Sequence, residues 1–189
     1  STLRSVGLSY DPRLIYGDDN QYMNASRFGL WQMPEQLARL MVFLSDKNIC
    51  SVLEIGTFKG WTTTILASYL KCLEPKLETT TIDPVKQFPE YPIWKELGIS
   101  YIEADSSALE GHNFDFCFID GDHSYESLRV DYDVVGQHAR ICAIHDINEE
   151  LCPDVAKFWS ELRVSENASF LEFLDHSEGR EIMGIGVRY

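Results

Sequence analysis

Hydrophobic positions recur in two rhythms along this chain, and the changes of rhythm mark its elements. Leu37, Leu40, Met41 and Leu44 fall at i, i+3, i+4 and i+7, one face of a helix that opens at Pro34. Beyond Lys47-Asn48, short apolar runs alternate with helical segments. The runs Ser51–Ile55, Glu78–Ile82, Ser100–Ala104, Phe114–Ile119 and Ile141–Ile144 predict strands. Between them, Thr62–Leu73 predicts a helix with Ile65, Leu66, Tyr69 and Leu70 inward, a short helix is expected near Ile93–Leu97, and Tyr125–Gly136 predicts another. A helix over Pro153–Arg163 and strands at Ser169–Leu174 and Ile182–Val187 close the chain.

Strands that are apolar throughout and separated by helices imply a parallel sheet covered on both faces. Only Asp175–Arg180 lies between the last two strands, too little for a crossover helix, so these should pair antiparallel. The expected fold is α/β, a doubly wound, mostly parallel sheet with an antiparallel C-terminal edge hairpin. Residues 1–33 follow no clear period and are expected to form an N-terminal extension or lid on a domain over residues 34–189.

A formal net charge of −14 makes a nucleic-acid partner unexpected, since no basic patch offsets it. No apolar run approaches the ~18 residues of a membrane span, so no membrane partner is expected either. The five cysteines form no C-x-x-C pair, and Cys117 and Cys142 sit inside apolar runs. This pattern points to thiols in a reducing compartment, hence a cytoplasmic protein.

Ligands of doubly wound sheets bind beyond the carboxyl ends of the strands. There the sequence places Glu54-Ile55-Gly56-Thr57-Phe58-Lys59-Gly60, Asp83, Asp105-Ser106-Ser107, Asp120-Gly121-Asp122-His123 and His145-Asp146-Ile147-Asn148. Every predicted parallel strand ends in an acid. The two glycines of Glu54-x-Gly56-x-x-x-Gly60 allow a sharp turn and close approach to a ligand, without matching the dinucleotide fingerprint or the P-loop. An acid at the end of the following strand, Asp83, is placed to accept both hydroxyls of a ribose. Asp131 and Asp133 are expected on the solvated face of their helix, and His112 and His138 in exposed loops. Asp-Gly is also an ordinary turn-former, and His123 an ordinary helix cap.

VLEIGTFKGWTT, TTTIDP and FDFCFIDGDHSYESLRVDY resemble the class I S-adenosylmethionine-dependent methyltransferases, within them the small-molecule O-methyltransferases that carry I-D-G-x-H-x-Y and H-D motifs. The resemblance runs from about Trp31 to the C-terminus. It implies a Rossmann-like fold, S-adenosylmethionine as cofactor and a hydroxyl group of a small polar molecule as acceptor. Glu54, Gly56, Thr57 and Gly60 would then frame the methionine moiety, Asp83 the ribose, and Asp105 with Ser106 the adenine edge, while Asp120 lies beside the methyl group. Trp31 and Gln32 are candidate lid residues. Strands four and five are neighbours in this fold, so Asp120 and Asp146 should converge. Two close carboxylates need a cation or a proton between them. Mg²⁺ on Asp120, Asp146 and Asn148 is the expected ion, lowering the pKa of the acceptor hydroxyl. Asp120, His123 and His145 are the catalytic candidates, the histidines because imidazole exchanges protons near neutrality. One departure is the run Gly136-Gln137-His138-Ala139-Arg140, where the family usually has Gly-Gly before strand five. Residues 1–33 are also available to pack on a second subunit in a homo-oligomer. Two alternatives stand beside this reading: a catalytically inactive S-adenosylmethionine-binding protein, and a metal-dependent hydrolase built on Asp120, Asp122, His123, His145 and Asp146.

Overall fold

The computed structural model describes residues 31–148, 150, 152–174, 176–177, 180–181 and 183–189, with the backbone alone at 176–177 and 180–181. Residues 1–30, most of the expected extension, lie outside the described residues. The elements are α1 (Pro34–Leu44), β1 (Ser51–Ile55), α2 (Trp61–Leu73), β2 (Glu78–Ile82), α3 (Pro92–Leu97), β3 (Ile99–Ile102), β4 (Phe116–Ile119), α4 (Tyr125–Val134), β5 (Ile141–His145), α5 (Pro153–Ser165), β6 (Phe170–Phe173), β7 (His176–Ser177), β8 (Arg180–Glu181) and β9 (Ile185–Arg188). Among the described residues, no helix is long and apolar enough to cross a membrane.

The main sheet has the order β3-β2-β1-β4-β5-β9-β6. Strands β1 to β5 are parallel, and β9 runs antiparallel to both β5 and β6. The expected α/β fold is therefore present, including the antiparallel closing pair. From β1 the chain moves outward to β2 and β3, then returns to lay β4 on the other side of β1. That reversal opens a crevice at the carboxyl ends of β1 and β4.

Side-chain alternation divides the core between the two faces. Phe116 and Phe118 pack with Leu40 and Leu66 on one face, against α1 and α2. Cys117 and Ile119 pack with Leu128 and Phe158 on the other, against α4 and α5. Both rows of β4 are buried, which is why its sequence reads as an unbroken apolar run.

Several boundaries differ from the sequence expectation for local reasons. Strand β3 stops at Ile102, not Ala104, because its partner ends: Asp83 N–H makes the last bond, to Ile102 O at 3.2 Å, and Pro84 has no N–H to give. Strand β4 starts at Phe116; just before it the carbonyls of Phe114 and Asp115 accept from Arg140 and Ile141 N–H, and the Asp115 carboxylate accepts from the backbone of Cys50 and Ser51. The last strand starts at Ile185, and the short β7–β8 pair occupies the turn before it. Helix α4 stops at Val134, and Gly136–His138 form a 3₁₀ turn. A side chain at Gly136 would lie 2.7 Å from Tyr132 and 3.0 Å from Ile119, so one glycine meets the crowding there. The chain thus enters β5 and delivers His145 and Asp146 at its end despite the missing second glycine.

Candidate functional site

The loop from β1 to α2 is shaped by backbone that few residues tolerate. Gly56 has φ +93° and Gly60 φ +72°, in the left-handed region that favours glycine. A Cβ on Gly56 would fall 2.0 Å from the carbonyl oxygen of Asp120. The loops after β1 and β4 are thus pressed backbone to backbone, leaving no room for any other residue.

Below this turn Glu54 is buried, only 2% exposed. It accepts hydrogen bonds from the hydroxyls of Thr63 and Thr81, and Thr81 is 2.7 Å from the hydroxyl of Thr57. Burial pushes the Glu54 carboxyl from its ordinary 4.5 up to about 8; the threonine hydroxyls oppose the rise, and Asp120 and Asp83 add to it. Between pH 4.5 and 8 the folded protein therefore holds a proton that the unfolded chain has lost. That contribution to stability is complete below pH 4.5 and is lost as pH rises through 8. From pH 5 to pH 7.5 the native protein should lose ~3 kcal/mol relative to Glu54→Gln, read from urea unfolding at both pH values. Parallel stability profiles for the two proteins would contradict the assignment.

At the end of β2, Asp83 is fixed by the backbone. Its oxygens accept from Phe58 N–H at 3.0 Å and Val85 N–H at 2.9 Å, one bond each. Each oxygen keeps a lone pair for a ligand. After β3, Asp105 caps a 3₁₀ turn (Ser106–Leu109), where the Ser107 hydroxyl and N–H hold its carboxyl below the usual range. Ser106 is buried near the carboxyl of Asp131 and opposes the rise that burial gives its pKa. Asp131 itself is a correction: expected on a solvated face, it is 9% exposed, with burial raising its pKa. The signal was present, because Leu128, Asp131 and Tyr132 share the buried face of α4 at i, i+3 and i+4. Asp133, His112 and His138 are exposed, as expected.

The ends of β4 and β5 converge on a cluster of acids and imidazoles. His145 is buried, and its Nδ1 lies between the two carboxylates, 3.1 Å from Asp120 Oδ1 and 3.2 Å from Asp146 Oδ2. Burial alone would lower the His145 pKa, but Asp120 and Asp146 hold it well above the usual range. The Asp146 carboxyl resists burial in turn and is held low by His145 and His123. His123 Nε2 lies 2.9 Å from Asp146 Oδ2, and that bond raises its pKa against partial burial. The helix cap at this point is Ser124, whose side chain accepts from Ser127 N–H, so His123 is left to Asp146. Asp146 has φ +59°, a conformation that aspartate tolerates better than most residues and that turns its carboxyl back toward His123.

Gln32 bridges this cluster to α2, donating to Asp120 and accepting from Thr62. It is 2% exposed, more deeply embedded than a lid residue named from sequence suggests.

The acids and imidazoles at the strand ends line one cavity of about 710 Å³, ample for a nucleoside-sized ligand. Glu54, Gly56, Thr57, Gly60, Asp83, Asp105, Ser106, Asp120, His123, His145 and Asp146 are all in its wall; Asn148 is not. Asn148 N–H instead bonds Met183 O at 2.8 Å, tying the loop after β5 to the one before β9. Seven carboxylic acids line the cavity, Asp122 and Asp131 joining the strand-end five; burial favours the neutral form of Glu54 and Asp131, and the other five still outnumber Lys59 and the two imidazoles. That balance favours a cationic ligand. Asp120, His145 and Asp146 each offer a donor atom within 4.8 Å of the others, a set able to hold a divalent ion.

Comparison with known proteins places residues 53–147 in a family described as a methyltransferase domain. No curated protein matches the chain in sequence. Among solved structures, the chain is similar to the O-methyltransferase TomG of Streptomyces achromogenes, involved in tomaymycin synthesis and solved with S-adenosylmethionine: 15% identity, 96% of this chain and 91% of that one, TM-score 0.62. It is also similar to an O-methyltransferase of Bacillus cereus in complex with S-adenosylhomocysteine, at 14% identity over 98% of this chain and 94% of that one, TM-score 0.59. Cofactor-bound Rv0187 from MTB aligns at 16% identity over 98% and 93%, TM-score 0.63. At these identities the likeness to solved structures establishes the fold alone.

Proposed function

The chain belongs to the methyltransferase-domain family, and from that premise we propose that it transfers a methyl group from S-adenosylmethionine to a hydroxyl of a small polar acceptor, assisted by a divalent ion. The observation that carries this reading is the division of labour along one cavity. The Gly56 turn, buried Glu54 and fixed Asp83 lie toward the β1–β2 side, and Asp120, His145, Asp146 and His123 lie toward the β4–β5 side.

When bound, S-adenosylmethionine supplies the electrophilic methyl group. Asp83 accepts the two ribose hydroxyls with the lone pairs its backbone bonds leave open. Glu54 and the Gly56–Gly60 turn receive the methionine moiety, and Asp105 with Ser106 borders the adenine. The acidic wall stabilises a positively charged sulfur centre. His123, half exposed at the cavity rim, takes the proton that an acceptor hydroxyl releases as its oxygen attacks. Asp146 orients the His123 ring and stabilises the imidazolium that results.

A divalent ion would be held by Asp120, His145 and Asp146 and would lower the pKa of an acceptor hydroxyl. This donor set differs from the all-oxygen set expected for Mg²⁺ by having the His145 imidazole in place of Asn148. Mixed carboxylate and imidazole ligands suit Mn²⁺ better than Mg²⁺. The hydrolase alternative leaves the glycine turn and Asp83 without a task.

The test is a product screen. The protein is incubated with S-adenosylmethionine, Mn²⁺ or Mg²⁺ and a panel of hydroxylated metabolites, and mass spectrometry follows the methylated product and S-adenosylhomocysteine. We expect at least one acceptor to gain a methyl group on oxygen, faster with Mn²⁺ than with Mg²⁺. S-adenosylmethionine binding with no transfer to any hydroxyl under any of these conditions would overturn the reading in favour of a cofactor-binding protein.

A further inference from the structure

On the outer side of the acidic cluster a second set of metal-ligand atoms comes together. His123, from the loop before α4, offers a ring nitrogen, Asp146 a carboxylate oxygen and Cys152 a sulfur, all within 4.8 Å of one another. His123 and Asp146 also line the cavity, whereas Cys152 lies outside its wall, at the residue preceding α5. The two groups share one side chain: Asp146 Oδ2 is 2.9 Å from His123 Nε2 and 3.2 Å from His145 Nδ1.

We infer that His123, Asp146 and Cys152 form a site for Zn²⁺ or a similarly thiophilic divalent ion, distinct from a site on Asp120, His145 and Asp146. The donor chemistry separates the two. A hard ion such as Mg²⁺ prefers oxygen and avoids sulfur, while Zn²⁺ accepts thiolate, imidazole and carboxylate together. Three protein ligands leave the fourth tetrahedral position to water. Donors around a tetrahedral zinc sit roughly 3.3–3.8 Å apart, as its bond lengths of ~2.0–2.3 Å require. Closing the present spacing takes small rotamer changes. His123, with its side chain 47% exposed, can make them, while Cys152 is half buried against the core beside α4 and α5. As the zinc–sulfur bond forms, the Cys152 thiol releases its proton to the buffer.

The site has a consequence for the reaction, which rests on the function proposed above. An ion there holds the His123 ring assigned to the acceptor's proton, takes up the Asp146 carboxylate that orients that ring, and fastens the start of α5 to the loop after β4. Zn²⁺ therefore inhibits methyl transfer, whereas Mn²⁺ at the neighbouring site supports it.

Co²⁺ is the probe, titrated into the full chain in the presence of S-adenosylmethionine and excess Mg²⁺. We expect a thiolate-to-cobalt charge-transfer band that Zn²⁺ displaces and that is absent in Cys152→Ser and His123→Ala. Serine is a favoured residue before a helix, so Cys152→Ser should fold. Co²⁺ bound without the band, or a band that survives Cys152→Ser, would overturn the site. A second readout is alkylation by iodoacetamide, mapped by mass spectrometry. Zn²⁺ should protect Cys152 and leave the exposed Cys50 and Cys72 as reactive as before; equal labelling of Cys152 with and without Zn²⁺ would also overturn it. In the rate assay, half-inhibition of native protein should need at least ~10-fold less Zn²⁺ than that of Cys152→Ser, the scale of losing one metal ligand or its support. Should no acceptor be methylated at all, the functional reading fails, while the band and the protection pattern still decide the metal site.

Discussion

Asp146→Asn is expected to lower turnover ~1,000-fold while leaving S-adenosylmethionine affinity within about threefold of native, as loss of acid–base machinery does when ligand contacts survive. One carboxylate oxygen of Asp146 serves both histidines, at 2.9 Å from His123 Nε2 and 3.2 Å from His145 Nδ1. Asparagine keeps the volume and tolerates the positive φ of this position, so the loop after β5 should hold its course. What it removes is charge. His123 loses the partner that orients its ring, and the cluster keeps a single carboxylate, Asp120, to balance His145 or a divalent ion. The buried ion pair is also weakened, and stability should fall by up to ~3 kcal/mol, which circular dichroism during thermal melting will register. Initial rates at saturating cofactor, with the acceptor that the product screen returns, give the turnover. A variant that folds and turns over within tenfold of native would remove Asp146 from the chemistry.

The elements that could be read from sequence are those whose signals are local. Turn chemistry at Asp83-Pro84, the helix period of Leu37–Leu44 and the unbroken apolar run of β4 each act over a few residues, and each is where the sequence placed it. The acids at strand ends follow the same logic, because a parallel strand has one carboxyl end and the crevice is there. Asp131 was misplaced although its signal was local: acids are assigned to solvent by default, and the helical face containing Leu128 and Tyr132 argued otherwise. Other features arise only when distant segments meet. Gln32 reaches Asp120 across 88 positions of sequence, and no period links them. The place of His145 between two carboxylates depends on β4 and β5 pairing side by side, which the strand pattern alone does not specify. Cys152 carries no local signal of its own; only the fold brings the start of α5 beside His123 and Asp146.

The second large effect concerns binding. Asp83→Ala should weaken S-adenosylmethionine ~100-fold or more, the loss expected when two hydrogen bonds to one carboxylate disappear together. The geometry favours a large effect, because the carboxylate needs no reorganisation to bind. Phe58 N–H at 3.0 Å and Val85 N–H at 2.9 Å already set its plane, leaving the open lone pairs for vicinal hydroxyls. Alanine also releases Phe58 N–H, loosening the glycine turn that borders the same ligand. The position is partly exposed, so the fold itself should be little affected.

That makes calorimetric titration with S-adenosylmethionine, on native protein and Asp83→Ala side by side, the most direct test that the acids at the strand ends form one nucleoside-binding crevice. Native protein should bind with a Kd of about 1–10 μM and the variant at least ~100-fold more weakly, with unchanged circular dichroism. Equal affinities, or no binding by the native protein, would contradict the account.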